Sequence, residues 1–348
     1  MQATERASAT ASATASATAS ATASATASAT TEIMGGLGNQ LFQIFNLMAY
    51  SFRHHKPFYF PLEQITQGQR KTTYWTTQVL HALQHFVKPT PSHHQQQPLM
   101  YKERNFHYEP IPSPPTPSES NIKFFGYFQS YKYFQDQQEL IYKFIKLRET
   151  QATMREKTQH IYDYNRTVAL HFRVGDYKNL QNYHPLMTIE YYIEAFTQIL
   201  KYTIEKSPNV DLHSCLHNVL YFCEEADQKY VQEKMLTPLQ ENPLLKNKFT
   251  FQCIDHNLSD WEQLLVMSLC SKHIIANSTF SWWGAYLGGS APSPPHLGQA
   301  DASAKGVWAC EAGGVSSQVY YPNTWFGPAM GYKNMSDLFP SHWHRINI

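Results

Sequence analysis

The sequence predicts an α/β protein with two domains and a parallel sheet in its C-terminal half. Its 348 residues, 42% of them hydrophobic, exceed the roughly 150 residues of an average domain. After residue 164, apolar strands and helical patterns alternate, which is typical of a doubly wound parallel sheet. Three glycine-rich or polar segments directly follow strands, where such sheets bind their ligands.

The N-terminal part begins with a low-complexity segment. Residues 1–30 consist mainly of an Ala-Ser-Ala-Thr repeat without large apolar side chains, so we expect disorder there. A first domain is predicted at 31–163, starting with a short strand at 31–34, a glycine turn and an amphipathic helix. Further strands are expected at 58–60 and 123–130, and a helix at 134–146.

A second domain is predicted at 164–348, because a continuous apolar run at 167–172 indicates a buried strand. The predicted strands that follow lie at 218–223, 249–254, 273–276 and 319–322. The predicted helices lie at 189–202, 227–236 and 260–269. A Gly-, Pro- and Ala-rich segment at 288–314 predicts a flexible insertion before the last of these strands.

Composition excludes several functional classes. A formal net charge of +1 gives no overall field that would attract nucleic acid. No apolar run reaches the roughly 20 residues that a membrane span needs, so we expect a cytoplasmic chain without a membrane segment. A Golgi membrane protein would need an N-terminal anchor ahead of this sequence. The five cysteines are expected to be reduced, and no HExxH motif is present, so no metal ligand is predicted.

The first of the three segments is the glycine turn at 35–40. Glycine lets backbone amides approach a phosphate or sugar closely, and the following helix N-terminus favours negative charge. Gly36, Gly38, Asn39 and Gln40 are therefore candidate ligand-binding residues. A tight turn without a ligand is the alternative interpretation.

The second segment comprises residues 171–177. Strand alternation places His171 and Arg173 on one face, and the planar guanidinium of Arg173 at the strand end suits a pyrophosphate. Asp176 could anchor that arginine or the turn. The alternative is an ordinary Arg–Asp pair at a strand end.

The third segment lies at 274–285. Asn277, Ser278, Thr279 and Ser281 supply small polar groups between a strand and a helix, while Phe280 and the tryptophans after it offer flat surfaces to a sugar or base. Alternatively, Asn277 or Ser278 is a helix N-cap and the tryptophans belong to the core.

In their order, the segments GGLGNQLFQ, HFRVGDY and ANSTFSWWGAYL resemble the α-1,2-fucosyltransferase family. The resemblance implies a GT-B-type fold, in which two Rossmann-like domains, an acceptor-side domain and a GDP-fucose-binding domain, face a cleft. Arg173 matches the family's essential arginine on the donor pyrophosphate, and His171 matches its donor-contacting histidine. Ser278, Thr279 and Phe280 match the loop around the donor. Val174 departs from the family, because many relatives have a second arginine there.

The activity implied is the inverting transfer of L-fucose from GDP-β-L-fucose to a glycan hydroxyl, expected to be the 2-OH of a galactoside. No cofactor is implied, and the absence of an Asp-x-Asp element predicts a metal-independent reaction. Arg173, His171 and the polar groups of the third segment are then expected to offset the leaving charge.

Two residue roles and the activity itself stay open. Asp176 is a candidate general base, with an ion pair to Arg173 as the alternative. Asp255 is a candidate acceptor for the guanine N1–H and amine, as is Asp260, which could equally be an N-cap. A protein O-fucosyltransferase, or an inactive relative that binds GDP or glycans, would carry the same motifs.

Overall fold

The computed structural model describes residues 27–62, 74, 78–89, 98–113, 121–209, 211, 215–288 and 318–348. Its strands are β1 (Ala29–Thr31), β2 (Phe60–Pro61), β3 (Val87–Lys88), β4 (Leu99–Lys102), β5 (Ile122–Phe125), β6 (Thr167–His171), β7 (His217–Phe222), β8 (Phe249–Cys253), β9 (Lys272–Ile274), β10 (Gln318–Pro322) and β11 (His344–Ile346). Its α-helices are α1 (Leu37–Arg53), α2 (Gln78–His81), α3 (Gln138–Phe144), α4 (Leu147–Thr158), α5 (Ile189–Lys206), α6 (Gln228–Val231), α7 (Thr237–Glu241), α8 (Asp260–Leu269) and α9 (Thr279–Gly288).

The C-terminal sheet contains six parallel strands in the order β11-β10-β9-β6-β7-β8. Numbered along the chain from β6, this is the order 3-2-1-4-5-6 read from the β8 edge, which is that of a Rossmann sheet. The chain moves outward from β6 to β8 and then returns to the other side of β6 with β9. The switch point therefore lies between β6 and β9, and the predicted doubly wound parallel sheet is confirmed.

The N-terminal part has smaller parallel sheets. One has the order β1-β5-β4, and β2 pairs with β3. A single parallel bridge between Ala29 and Phe58 connects β1 to the chain entering β2. Two parallel α/β units that face a shared cleft are the GT-B-type arrangement, in agreement with the predicted fold.

The first strand corrects the prediction for the end of the repeat. It spans Ala29–Thr31, two residues earlier than expected, so Ala29 and Thr30 are ordered. Ala29 is fully buried because it lies between Phe58 on one side and Ile122 on the other. Small side chains that cannot build a core alone are here covered by larger neighbours. Residues 1–26 of the repeat lie outside the described residues.

Other boundaries also differ. The helix predicted at 134–146 is a short 3-10 turn followed by α3, and Lys146, with a φ of 53°, separates α3 from α4. The helix predicted at 227–236 consists of α6 and a π-helical turn at Gln232–Leu236, and α7 continues beyond the predicted end. The insertion predicted at 288–314 lies outside the described residues except for Gly288, which ends α9. Among the described helices, none is long and apolar enough to cross a membrane.

One aromatic core joins the two halves of the chain. Phe42 and Phe45 on α1 contact Trp282 and Trp283 on α9, with ring centroids 4.5 to 5.0 Å apart. Both tryptophans are fully buried, so they are core residues and not walls of a ligand site. Their burial fixes the start of α9 against α1.

Candidate active site

A cleft of about 1060 Å³ lies at the switch point of the Rossmann sheet, between the two halves of the chain. Eleven of the sequence-predicted residues line it: Gly36, Gly38, Asn39, His171, Arg173, Asp176, Asp260, Asn277, Ser278, Thr279 and Phe280. The structure thus brings all three segments to one cavity, because the turns after β6 and β9 are neighbours at the sheet edge and the glycine turn faces them.

Arg173 follows β6 and is held by two carboxylates. Its Nη1 lies 2.6 Å from Glu224 Oε1, and its Nη2 donates to Asp176. The guanidinium carbon is 4.7 Å from the ring centroid of Tyr177. Burial alone lowers the pKa of Arg173, but the negative groups around it raise that pKa above its ordinary value. An incoming anion therefore meets a permanent cation and competes with Glu224 and Asp176 for it.

His171 is the last residue of β6 and contributes a neutral ring. Burial, followed by the charge of Arg173, lowers the pKa of His171 to about 3. Its buried Nδ1 has no hydrogen-bond partner among the described residues. A buried polar atom without a partner costs about 1–3 kcal/mol, so this nitrogen is suited to contact a ligand.

The glycine turn approaches the third segment without intervening side chains. A Cβ on Gly38 would lie 2.6 Å from Thr279 O and 2.7 Å from Phe280 N, closer than real contacts allow. Only glycine fits there. Asn39 Oδ1 accepts a hydrogen bond of 2.9 Å from Gln129 Nε2, which positions the amide at the cleft.

The third segment begins α9 and points the N-terminus of that helix into the cleft. The Ser278 hydroxyl accepts from Phe280 N at 3.3 Å, as the N-cap interpretation predicts. Asn277 Nδ2 donates to Pro185 O at 2.9 Å and to Trp325 O at 3.2 Å. The N–H groups of Thr279 and Phe280 belong to the first turn of a ten-residue helix, where an anion is stabilised.

Three predicted residues do not line the cleft. Gln40 is buried and its Nε2 donates to Gly35 O at 3.0 Å. The buried hydroxyl of Ser281 donates to backbone carbonyls, including that of Ser278 at 3.3 Å. Asp255 Oδ1 instead accepts from the backbone and side chain of Asn257, at 2.9 Å each, and closes the turn after β8. Asp260, the other candidate for the guanine edge, is in the first turn of α8 and does line the cleft.

Sequence reasoning missed Glu103, a carboxylate that lines the cleft from the N-terminal half. Glu103 directly follows β4, and its Oε2 accepts from Tyr127 N at 2.8 Å. Burial raises the pKa of this carboxyl above its ordinary value, against hydrogen bonds from two backbone amides that lower it. No strand was predicted at 99–102, so nothing in the pattern indicated that residue 103 would follow a strand into the cleft.

The geometry is that of a GT-B-type protein whose cleft, at the Rossmann switch point, is lined by Arg173, His171 and the N-terminus of α9. Similar sequences are glycosyltransferases, although no family model matches the chain. Over 177 residues it is 28% identical to the alpha-1,2-colitosyltransferase of Escherichia coli, covering 49% of this chain and 52% of that protein. Over 171 residues it is 25% identical to the O-antigen biosynthesis glycosyltransferase WbnK of Escherichia coli, covering 47% and 49%. The chain thus matches only about half the length of these curated relatives.

Solved structures with a similar arrangement include fucosyltransferases. A mutant of Arabidopsis thaliana FUT1 in complex with GDP has a TM-score of 0.40 and 11% identity, covering 76% of this chain and 69% of that chain. Fucosyltransferase NodZ from Bradyrhizobium has a TM-score of 0.39 and 11% identity, covering 75% and 93%.

Proposed function

We propose that this chain is an inverting glycosyltransferase that transfers L-fucose from GDP-β-L-fucose to the 2-hydroxyl of a galactoside, forming an α-1,2 linkage. One observation carries the proposal. A permanent cation, an unpartnered buried imidazole nitrogen and a helix N-terminus converge at the switch point of a Rossmann sheet, where a diphosphate would be bound. The sequence motifs and the similarity to an α-1,2 glycosyltransferase support the linkage.

Charge is stabilised by groups already in place. As GDP leaves, negative charge develops on the diphosphate, and Arg173 and the first turn of α9 are positioned to receive it. His171 is neutral near pH 7, so its role is that of a hydrogen-bond donor or acceptor rather than a second cation. Val174 is buried and adds no charge, which leaves Arg173 as the principal cation of this turn.

Glu103 is the carboxylate best suited to be the general base. Asp176 is occupied by its ion pair with Arg173, as the structural alternative for that residue predicts. Glu103 instead lies on the N-terminal side of the cleft and has a raised pKa, two properties that fit a group accepting the proton of an acceptor hydroxyl. Asp260 replaces Asp255 as our candidate for binding the guanine edge, because only Asp260 lines the cleft.

A second candidate differs in the sugar transferred. One similar protein is named alpha-1,2-colitosyltransferase, so the second candidate donor sugar is colitose, which lacks one hydroxyl of fucose. A site built around that hydroxyl would reject the deoxy sugar by about 10⁴-fold, whereas an apolar site would discriminate far less. Comparing kcat/KM for the two nucleotide-linked sugars therefore separates the candidates.

The direct test is GDP release from GDP-fucose in the presence of a β-galactoside, together with GDP binding by calorimetry. Arg173→Ala is expected to lower kcat by about 10²–10³-fold, the usual effect of losing one group that stabilises the transition state. The matched control is Arg148→Ala, which removes an arginine ion-paired with Glu139 outside the cleft. It should leave both measurements unchanged. Wild-type turnover and GDP affinity in the Arg173 variant would overturn the proposal, and turnover with peptides but not galactosides would favour a protein O-fucosyltransferase.

A further inference from the structure

Three metal-ligand side chains meet at the carboxyl ends of β7 and β8. Cys223 directly follows β7, Cys253 is the last residue of β8, and His256 lies in the turn that follows. One ligand atom from each lies within 4.8 Å of the other two. Within the described part of the chain, no other set of three or more His, Cys, Asp or Glu side chains forms such a group.

The separation of two of these atoms already matches a shared ion. Cys253 Sγ lies 3.4 Å from His256 Nε2. In a tetrahedral zinc site with Zn–S near 2.3 Å and Zn–N near 2.0–2.1 Å, neighbouring sulfur and nitrogen ligands are about 3.5 Å apart. The spacing between the ligands would therefore change little on binding.

The surroundings also fit a bound thiolate. Gln228 Nε2 donates toward Cys253 Sγ at 3.7 Å, the type of outer hydrogen bond that holds a metal ligand in position. Cys223 is only 6% exposed, and both Cys223 and His256 line the cleft. A metal with these three ligands would have a fourth position accessible from the cleft, as zinc sites with an exchangeable ligand do.

We propose that Cys223, Cys253 and His256 form a zinc site whose fourth ligand is water or an oxygen atom of a molecule in the cleft. Zn²⁺ replaces the protons of the two thiols, which are released to solvent, and the neutral imidazole binds through Nε2. Cys223 and His256 line the same cleft as Arg173, and the proposal concerns these three ligands and assigns no metal to the diphosphate.

This inference departs from the prediction that the chain has no metal ligand. Cys253 and His256 form a C-x-x-H pair in the sequence. The third ligand is thirty residues earlier, and the parallel pairing of Tyr221 with Cys253 brings it near. Sequence spacing alone does not show that proximity.

The test is zinc stoichiometry of the full chain, stripped of metal under reducing conditions and then dialysed against Zn²⁺. We expect about one zinc per chain by mass spectrometry of the metal, and a thiolate-to-metal charge-transfer band when Co²⁺ is used as the probe. His256→Asn keeps both thiols and should weaken binding by more than about 100-fold, because outer-shell changes alone cost about 10–100-fold. Gln228→Ala removes only an outer hydrogen bond, so it should weaken zinc binding by about 10–100-fold.

The matched control is Cys215→Ser, which removes a thiol just before β7, at the other end of the sheet, and should retain one zinc. Cys253→Ser provides a second test, accompanied by a thermal melt to check folding. Equal zinc binding by wild-type protein and the His256 variant would overturn the proposal. So would a cobalt complex without a thiolate band, or a Cys223–Cys253 disulfide that forms in place of metal binding.

Discussion

Replacing Gly38 by alanine tests the contact that shapes the cleft. The new Cβ would lie 2.6 Å from Thr279 O and 2.7 Å from Phe280 N, whereas ordinary contacts begin near 3.4 Å. Both opposing atoms belong to the backbone, so no side chain can rotate away. The glycine turn and the start of α9 must then separate by roughly 1 Å, since repulsion rises steeply below contact distance.

Two effects of different size should follow. Overpacking of this kind costs about 1–3 kcal/mol of stability. A shift of about 1 Å in the groups that position a substrate costs about 100-fold in rate, even when the groups themselves are unchanged. We therefore expect the Gly38→Ala variant to remain folded, with a lower melting temperature, weaker GDP binding and kcat/KM reduced by about two orders of magnitude.

The assay combines thermal melting, GDP calorimetry and GDP release. Gly284→Ala is the matched control: its Cβ would meet the side chain of Met267 on α8, whose flexible thioether can move. It should lower the melting temperature without the same loss of kcat/KM. If the Gly38 variant kept wild-type kinetics, the contact with Thr279 would not determine the geometry of the cleft.

Three further predictions use other features. Glu103→Gln should abolish turnover while leaving GDP affinity within about twofold, because a base acts only in the transition state. In the wild type, the acidic limb of the pH–rate profile should lie above the ordinary glutamate pKa. An unchanged rate in the variant would exclude Glu103 as the base. Turnover should need no added Mg²⁺ or Mn²⁺, since no Asp-x-Asp element is present, and a cation-dependent kcat would contradict this. Burial lowers the pKa of His217 and of His273 to about 4 each, below the 6.5 of an unfolded chain, so the unfolded state binds more protons between these values. The contribution of these two histidines to the free energy of unfolding should be fully present above pH 6.5. It should fall by about 1.4 kcal/mol per pH unit for each histidine as the pH drops toward 4. Urea unfolding measures this change, and a free energy of unfolding that stays constant in that window would contradict the prediction.

The sequence predicted those parts of the fold that carry their own signal. The apolar run of β6 predicted a buried strand, and the helical pattern of α8 predicted a helix with the bounds that the structure has. The strand ends then placed Arg173 and Ser278 at one edge, because parallel strands present their carboxyl ends together.

What the sequence did not predict depends on partners far along the chain. Ala29 forms a strand only because Phe58 and Ile122 cover it. Glu103 enters the cleft after a short strand whose partly exposed residues gave no alternation. Glu224 was missed as the second carboxylate on Arg173, since it lies 51 residues away. These contacts are properties of the assembled sheets and not of any local window.

The shared aromatic core has a consequence for how the molecule moves and melts. Phe42 and Trp282 belong to opposite halves, yet their rings are 4.5 Å apart and both are fully buried. Domains joined only by a linker can separate and unfold independently, whereas separating these two would expose both rings to water. The halves should therefore behave as one cooperative unit, and any opening of the cleft must pivot about the junction of α1 and α9 instead of pulling it apart.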